Sequence, residues 1–564
     1  MSELMGPLGG GAENETNITR DTNPPQGRIH SAAFRLMLVL LLAYCVVGAA
    51  ILVFGSPRLL HNPWENSYCE SPQTYAAIYA AQTGKLYIPM SQAPYTPQAY
   101  APLYYAINAC VARAVHLDID RFILFARLMT YIAFLLCGGM VFLICRAASL
   151  PRLHSILAAL MMLGQPDFIG WNISPRPDML FILAMLISLY CAVRWEDRLW
   201  YGYGLCGVFA AIAFLIKQPG IAVAFAIFAV LVLSKEFKKA AVLTLGAILP
   251  VVLTFSILYW RHDPFFQQMA FAGKSRWSFS DAANFLFLHC LVAFWLIPIL
   301  IGIIGFSRAV TLDIKAKMIA AFALVNLLVG LSGMPQLGGY VNYLFPGLVG
   351  CALLLPYAMR VIQTRVRLTA SIVVVSVALV FATSTAYAYS RGLIGYFYQP
   401  PSASVDWLRP FRVLSDVTTM NVHGREPNLL DPFGAHMLEL TGNWDPAPVV
   451  DNLKRGDYDL IVLTRAGFLQ DVPSPRGASA LSTENATTIF VPSYRGISYF
   501  GPEEVAIIND KYEVLCSTKS SVVLIPRGRA VAAPPEAFSR MFGQPCRSEN
   551  PGLRANLKLS PSAR

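Results

Sequence analysis

Two acidic residues follow the first long apolar stretch of the chain and could perform proton transfer. Residues 36–54 are apolar and long enough to cross a bilayer, and Glu65 and Glu70 lie in the polar segment after them. Glu70 directly precedes Ser71 and Pro72, a pair typical of a helix start. The positive end of a helix favours a carboxylate, which can accept a proton from a hydroxyl group. Glu70 is therefore the candidate catalytic base. Glu65 is the alternative base or a substrate-binding residue, and an exposed loop glutamate without a function is the plain alternative.

A third acid occupies a similar boundary further along the chain. Asp178 stands where a loop enters another apolar stretch, and Arg176 precedes it by two residues. An acid at this place is either a solvated residue that favours the helix dipole or a part of the same site, with Arg176 as its partner. Both interpretations stay open, and we include Asp178 among the catalytic candidates and Arg176 among the substrate-binding ones.

Two candidate cations lie near the ends of apolar stretches, and a third lies in a basic loop segment. Arg127 is near the start of one stretch, Lys217 is at the end of another, and Arg276 belongs to the basic segment 261–276. Intramembrane cations indicate function by default, although those near helix ends can extend to the aqueous boundary instead. The functional interpretation is binding of a phosphate on a lipid carrier, whose charge a cation balances, or of anionic headgroups.

The remaining polar candidates and the absent motifs limit the chemistry. Asn342 and Tyr343 lie at a span boundary, where an amide and a phenol could face a sugar or simply pack in the aromatic belt. The sequence contains no phosphate-binding GxxxxGK[ST] motif, no HExxH motif and no CxxC pair with metal spacing. No cofactor and no metal ligand is therefore predicted, and a requirement for a divalent metal stays open.

The composition identifies the class of protein. The chain has 564 residues, of which 55% are hydrophobic and 14% are charged, whereas soluble domains carry about 25% charged residues. The formal charge of +11 does not indicate nucleic-acid binding, because most Lys and Arg residues lie in short loops between apolar stretches. The sequence predicts an α-helical polytopic membrane protein with about 11 transmembrane helices and a small C-terminal soluble α/β domain.

The predicted spans are eleven apolar stretches, at 36–54, 123–145, 153–168, 178–193, 199–216, 220–233, 241–259, 283–305, 317–333, 339–358 and 369–388. Every second connection is basic, which places the N-terminus in the cytoplasm and the first loop on the opposite side. Residues 72–83 are predicted to form a short helix. Residues 101–117 are short and contain Arg113, so we interpret them as an interfacial helix rather than a span.

The predicted domains are a cytoplasmic tail (1–35), a membrane region (36–395) with its first outer loop at 56–120, a periplasmic soluble domain (396–546) and a disordered tail (547–564). Strand-like runs at 457–464, 487–492 and 521–526 indicate the α/β character of the soluble domain. Cys516 and Cys546 could form a disulfide if their compartment is oxidising.

The order of these residues resembles the GT-C superfamily of polytopic glycosyltransferases, especially its protein-mannosyltransferase-like and bacterial oligosaccharide-modifying branch. The resemblance covers roughly residues 36–390. Besides the acid of the first loop, it rests on Gly84, Leu86 and Tyr87; Tyr100, Pro102, Leu103, Tyr104 and Tyr105; Ala126, Arg127 and Leu128; Arg176, Pro177 and Asp178; Lys217 and Gln218; and Asn342 and Tyr343.

The resemblance implies transfer of a sugar from a polyprenyl-phosphate-linked donor to a hydroxyl group at the periplasmic face of a bacterial inner membrane, with inversion at the sugar carbon. In this assignment Glu70 deprotonates the acceptor, Arg127 and Lys217 hold the polyprenyl phosphate, and Asp178 and Asn342 orient the base or the sugar. Tyr100 joins the substrate-binding candidates. Many relatives carry a pair of acids where this chain has Glu70 alone.

The partners implied are the lipid-linked donor, membrane lipids and a glycan, lipid or protein acceptor, with no nucleic acid. The alternative function is a transporter or flippase for lipid-linked sugars. That function predicts charges at the bilayer midplane in broken helices, whereas the candidates here gather at the predicted outer boundary. A non-catalytic scaffold would leave these acids and cations without a role.

Overall fold

The structure is a computed structural model of the whole chain. Besides a few isolated positions, it describes residues 45–62, 70–89, 95–168, 170–272, 277–280, 296–336, 341–365, 405–416, 418–425, 430–440, 444–464, 488–490, 493–494, 497–518, 521–529, 535–542, 545–546 and 556–558.

The membrane region is built from a series of helices. In chain order they are α1 (Cys45–Leu59), α2 (Glu70–Thr83), α3 (Pro102–Ala114), α4 (Ile119–Ala147), α5 (Arg152–Leu163), α6 (Asp178–Arg194), α7 (Leu205–Ile216), α8 (Ala222–Leu233), α9 (Phe237–Trp260), α10 (Phe265–Ala272), α11 (Leu296–Ala309), α12 (Ile314–Gly333) and α13 (Phe345–Arg365). The last turn of α1, Ser56–Leu59, is a 3-10 helix, and the π-helical turn Leu199–Gly204 leads into α7.

Four helical segments in the described part of the chain are long and apolar enough to cross a bilayer: Ile119–Ala147, Leu199–Ile216, Phe237–Trp260 and Ile314–Gly333. Other predicted stretches form shorter apolar helices, and 369–388 lies outside the described residues. The count of eleven spans is therefore not confirmed, whereas the helical membrane architecture is. Short non-helical segments connect some of these helices, such as residues 261–264 between α9 and α10.

The helices pack closely because small residues lie at their contacts. A Cβ atom placed on Gly207 of α7 would lie 2.3 Å from the Leu243 carbonyl oxygen of α9. Only glycine allows the two backbones to come this close, as in other membrane helix pairs. By contrast, α9 leaves Leu249 and Leu253 exposed, as expected of a helix that faces lipid.

The segment between α1 and α4 contains the two predicted helices, packed against each other. The helix predicted at 72–83 is α2, which begins earlier, so that Glu70 is its first residue. The helix predicted at 101–117 is α3, and its 13 residues span only about 20 Å, too short for a bilayer. Its position at the membrane surface stays a prediction.

The C-terminal region confirms the predicted α/β character. Its strands are β1 (Val413–Ser415), β2 (Leu460–Thr464), β3 (Thr488–Phe490), β4 (Ser493–Tyr494), β5 (Ile497–Ser498), β6 (Tyr512–Ser517), β7 (Ser521–Pro526) and β8 (Asn556–Lys558). Its helices are α14 (Thr418–His423), α15 (Pro432–Leu440), α16 (Ala447–Arg455), α17 (Pro502–Lys511) and α18 (Pro535–Phe542). Four strands form a sheet in the order β1-β2-β7-β6, in which β1 is parallel to β2 and the other pairs are antiparallel.

Two features concern the end of the chain. Residues 547–564 are predicted to be disordered, yet β8 within them pairs in parallel with β3, because its backbone groups satisfy those of that strand. The rest of that tail lies outside the described residues. Cys516 of β6 forms a disulfide with Cys546, the pairing that the sequence left open.

Candidate functional site

Glu70 forms a buried ion pair with Arg127. The Glu70 side chain is at the first position of α2, and Arg127 reaches it from α4. Arg127 Nη2 lies 2.7 Å and Nε lies 3.3 Å from Glu70 Oε2, and both residues are 2% exposed. The helix start and the guanidinium thus act together to hold this carboxylate in one orientation.

The remaining contacts of Arg127 explain how it is held. Its Nη1 donates to the backbone carbonyl oxygens of Leu59, Leu60 and Asn62, which lie at the C-terminal end of α1 and just after it. The sequence predicts that Arg127 binds a phosphate. In the structure its guanidinium joins the end of α1 to the Glu70 carboxylate through contacts between residues 57 or more positions apart in the chain, and the binding of a phosphate stays a prediction.

Asp178 is the centre of a second polar cluster. It is the first residue of α6 and is fully buried. Its Oδ1 accepts hydrogen bonds from Lys217 Nζ at 2.7 Å and from Asn342 Nδ2 at 2.9 Å. Arg176 Nε lies 3.5 Å from Oδ2, so the predicted partnership of Arg176 and Asp178 is present. These three ionisable side chains carry one more positive charge than negative.

Breaks between helices place the partners of Asp178. Lys217 ends α7 with an extended backbone, and the Pro219 turn that follows redirects the chain into α8. Asn342 lies in the 3-10 turn Val341–Tyr343, before α13 begins. Lys217 and Asn342 thus both lie beside a helix end, and from there their side chains reach Asp178.

Aromatic rings surround the cations of this cluster. Lys217 Nζ lies 5.0 Å from the ring centroid of Tyr343 and 5.9 Å from that of Tyr100. The guanidinium of Arg176 stacks 4.1 Å above the ring of Trp171, and its Nη2 donates to the Tyr100 hydroxyl at 2.9 Å. Cation–π contacts favour the cations without neutralising them, so the cluster keeps its attraction for an anion.

A hydrogen bond connects the supports of the two clusters. Asn172, in the loop that leads to Asp178, donates through Nδ2 to Ser56 Oγ at 2.7 Å. Ser56 begins the turn whose Leu59 carbonyl accepts from Arg127. Each acid is therefore linked to the end of α1, Glu70 through Arg127 and Asp178 through the loop that carries Asn172.

The structure places most of the predicted site residues in two clusters. Glu70 pairs with Arg127, and Tyr100, Arg176, Lys217, Asn342 and Tyr343 gather around Asp178. Glu65 and Arg276 lie outside the described residues.

The sequence did not single out several supporting residues. Tyr104 donates its hydroxyl to the Pro175 carbonyl, and Asn172 reaches Ser56. Tyr104 belonged to the Tyr-rich run that carried the family resemblance, which was the available signal. Asn172 gave none, because a loop asparagine is usually exposed.

The described residues contain no group of three or more His, Cys, Asp or Glu side chains arranged to hold a metal ion. The acids of the site face Arg and Lys groups instead.

Comparison with known protein families finds a match to one part of the chain. The sequence profile of a family described as dolichyl-phosphate-mannose-protein mannosyltransferase matches residues 114–260, which include Arg127, Asp178 and Lys217. No curated protein matches the chain.

Solved structures extend this likeness over most of the chain. ArnT from Cupriavidus metallidurans in the apo state is 13% identical with a TM-score of 0.52, and the match covers 84% of this chain and 97% of ArnT. The same protein bound to undecaprenyl phosphate is 14% identical with a TM-score of 0.53, over 86% and 97%. An oligosaccharyltransferase from Archaeoglobus fulgidus, in complex with zinc and sulfate, is more distant, with 13% identity, a TM-score of 0.38 and coverage of 80% and 60%.

These matches confirm the predicted resemblance to GT-C glycosyltransferases and show that this integral membrane protein has an ArnT-like fold. At such low identity the structural likeness establishes the fold and leaves the substrate to the chemistry of the site.

Proposed function

We propose that this protein is an inverting glycosyltransferase that moves a sugar from a polyprenyl-phosphate-linked donor to an acceptor hydroxyl at the periplasmic face of the inner membrane. The observation that carries the proposal is the pair of buried acid centres on an ArnT-like fold, Glu70 with Arg127 and Asp178 with Lys217 and Arg176. The solved ArnT bound to undecaprenyl phosphate shows that this fold accommodates such a carrier in that protein.

The Asp178 cluster suits the phosphate of the donor. Lys217 and Arg176 together exceed the charge of Asp178, and a phosphate group would balance the excess. Asn342 and the rings of Tyr100 and Tyr343 complete a lining that could contact a sugar. Preorganised cations of this kind stabilise charge that develops on a leaving group.

Glu70 suits the role of base. In the proposed step the acceptor oxygen attacks the anomeric carbon while its proton passes to the Glu70 carboxylate. The bond from that carbon to the phosphate oxygen breaks, and its electron pair leaves with the polyprenyl phosphate. Arg127 orients the carboxylate instead of binding the phosphate, because its Nε and Nη2 donate to Glu70 and its Nη1 to backbone oxygens.

The substitution Glu70→Gln tests this assignment. It keeps the size of the side chain and removes its ability to accept a proton, so transfer should fall about 10²–10⁴-fold, the usual contribution of a general base. Mass spectrometry of envelope glycans from a deletion strain would identify the missing sugar. Complementation with the wild type should restore it, and complementation with Glu70→Gln should not.

A matched control is Glu196→Gln, which neutralises an acid paired with Lys239 at 3.2 Å in a different connection. This variant should restore the glycan fully. Full restoration by Glu70→Gln would remove that residue from the role of base. A purified protein that moves lipid-linked sugars across vesicle bilayers without forming a glycosylated product would favour the flippase.

A further inference from the structure

Residues 95–100, which we call the strap, connect the C-terminal region to the Asp178 cluster. At one end Tyr95 forms a parallel bridge with Leu430, and its ring lies 5.4 Å from that of Trp444. The Tyr95 carbonyl accepts from Asp431 N at 3.3 Å. At this end the strap is therefore part of the hydrophobic core of the C-terminal region.

At its other end the strap carries Tyr100. The Tyr100 hydroxyl accepts from Arg176 Nη2 at 2.9 Å, and its carbonyl accepts from the Tyr87 hydroxyl at 2.7 Å. The Tyr100 ring faces Lys217. The course of the strap thus determines where a side chain of the proposed site lies.

A buried glutamine holds the middle of the strap. Gln98 is 1% exposed, its Oε1 accepts from Ile88 N at 2.6 Å, and its Nε2 donates to the Leu86 carbonyl at 3.0 Å. The amide of Gln98 thereby pairs with two backbone groups of segment 86–88, the N–H of Ile88 and the carbonyl of Leu86. The proposed transfer reaction makes no use of this side chain.

A second buried glutamine holds Gln98 from another element. Gln268 of α10 is 1% exposed, and its Oε1 accepts from Gln98 N at 3.0 Å. Its Nε2 donates to the Ile88 carbonyl at 2.7 Å and points to that of Thr96 at 3.4 Å. In addition, Asp263 Oδ2 accepts from Leu86 N at 2.7 Å, so the residues before α10 also hold segment 86–88.

In the side-chain amides of both Gln98 and Gln268, the oxygen accepts a hydrogen bond and the nitrogen donates one. Removing one amide leaves buried backbone groups unsatisfied, which has a cost that a small shift of the backbone would relieve. Because Gln98 is two residues from Tyr100, such a shift would be transmitted to the contact with Arg176. Misplacement by about 1 Å can reduce an enzymatic rate about 100-fold.

We propose that Gln98 and Gln268 are positioning residues that fix Tyr100 against Arg176 and Lys217, and that the strap makes this placement depend on the docked C-terminal region. The proposal rests on the proposed transferase function for its effect on rate. The hydrogen bonds of both side-chain amides go to residues 86–98, so the proposed effect on the Asp178 cluster runs through the strap and Tyr100.

The test uses Gln98→Met and Gln268→Met in the full-length protein, since methionine keeps the length of the side chain and removes the amide. Each variant should lower kcat about 10–100-fold with a smaller change in KM for the lipid-linked donor, as expected when a side chain that aligns the bound donor is misplaced. The matched control is Asn326→Leu, which removes a buried amide whose Nδ2 donates within its own helix, to Phe322 O at 2.8 Å. This control should keep the wild-type rate.

A double-mutant cycle decides whether the glutamines act through Tyr100. In a Tyr100→Phe background Gln98→Met should cause a much smaller further loss, because the contact that it misplaces is already gone. Fully multiplicative losses would show that Gln98 acts elsewhere and would overturn the proposal.

A spectroscopic readout separates this proposal from the proposed function. With 3-fluorotyrosine at position 100, the fluorine NMR signal should shift or broaden in Gln98→Met and Gln268→Met and stay unchanged in Asn326→Leu. An unchanged signal in both glutamine variants would refute the positioning role, whether or not the wild type transfers sugar. A wild type that is inactive while the signal responds would refute the transferase function and leave the strap as the determinant of the Tyr100 position.

Discussion

The two acid centres of this protein are similar in position and different in construction. Glu70 and Asp178 are each the first residue of a helix and each pairs with a cation from another element. The cation at Glu70 is held by backbone carbonyl oxygens, whereas Asp178 is surrounded by the side chains of Lys217, Arg176 and Asn342. The first centre is balanced and fixed, which suits a base that must be aimed. The second has an excess of positive charge, which suits the binding of an anion.

The largest expected effect comes from breaking the balanced centre. Arg127→Met leaves Glu70 buried without its cation, so the unfolding free energy should fall by about 3–5 kcal/mol. Denaturation of the purified protein in lipid nanodiscs would measure the loss. The double variant Arg127→Met with Glu70→Gln should recover part of it, because no unpaired charge is then buried. Wild-type stability of Arg127→Met would show that the ion pair is dispensable.

The next effect tests whether the second centre binds an anion. Lys217→Met should weaken the binding of undecaprenyl phosphate about 10–150-fold, since a charged hydrogen bond contributes roughly 1.5–3 kcal/mol. Native mass spectrometry with added undecaprenyl phosphate would measure this. Lys239→Met, which removes a cation paired with Glu196, is the control and should bind as the wild type does. Equal weakening by both variants would point to a general effect of charge.

One substitution in the Asp178 cluster should strengthen the binding of undecaprenyl phosphate instead of weakening it. Asp178→Asn removes the negative charge that competes for Lys217 and Arg176, so undecaprenyl phosphate should bind about tenfold more tightly, equivalent to about 1.4 kcal/mol. Glu70→Gln should leave that affinity unchanged, because Glu70 pairs with Arg127 and does not compete for Lys217 or Arg176. If the two substitutions altered the affinity equally, the division of labour between the centres would be wrong.

The smallest effect concerns the geometry of one cation. Arg176→Lys keeps the charge and loses the stacking on Trp171 and the fork that reaches Tyr100. Undecaprenyl phosphate should bind about fivefold more weakly, in line with roughly 1 kcal/mol for such contacts. Trp171→Leu should cause a similar loss, and combining the two should add little. Independent losses would place Trp171 outside this contact.

Sequence reasoning identified the members of the site better than their pairings. Asp178 and Arg176 are two residues apart, so their partnership could be predicted and is present. Glu70 and Arg127 are 57 residues apart, and a single sequence contains no signal for a contact across that distance. The phosphate-binding role predicted for Arg127 stays a prediction, and the structure adds its ion pair with Glu70, which the sequence did not indicate.

The same limit applies to the fold. Apolar length predicted the positions of α4 and α9 well, because composition alone determines whether a segment prefers lipid. Gln98 and Gln268 were missed, because polar loop residues are usually solvated and only tertiary packing shows that these two are buried.

The bond between Cys516 and Cys546 has a practical consequence for production and topology. Reducing enzymes of the cytosol keep thiols reduced, whereas a secretory compartment oxidises them. Resistance of these two sulfurs to alkylation before, and not after, chemical reduction of intact cells would thus report which side of the membrane receives the C-terminal region. A cell-free expression system without an oxidant should yield a polypeptide whose C-terminal segment is cut more readily by proteases.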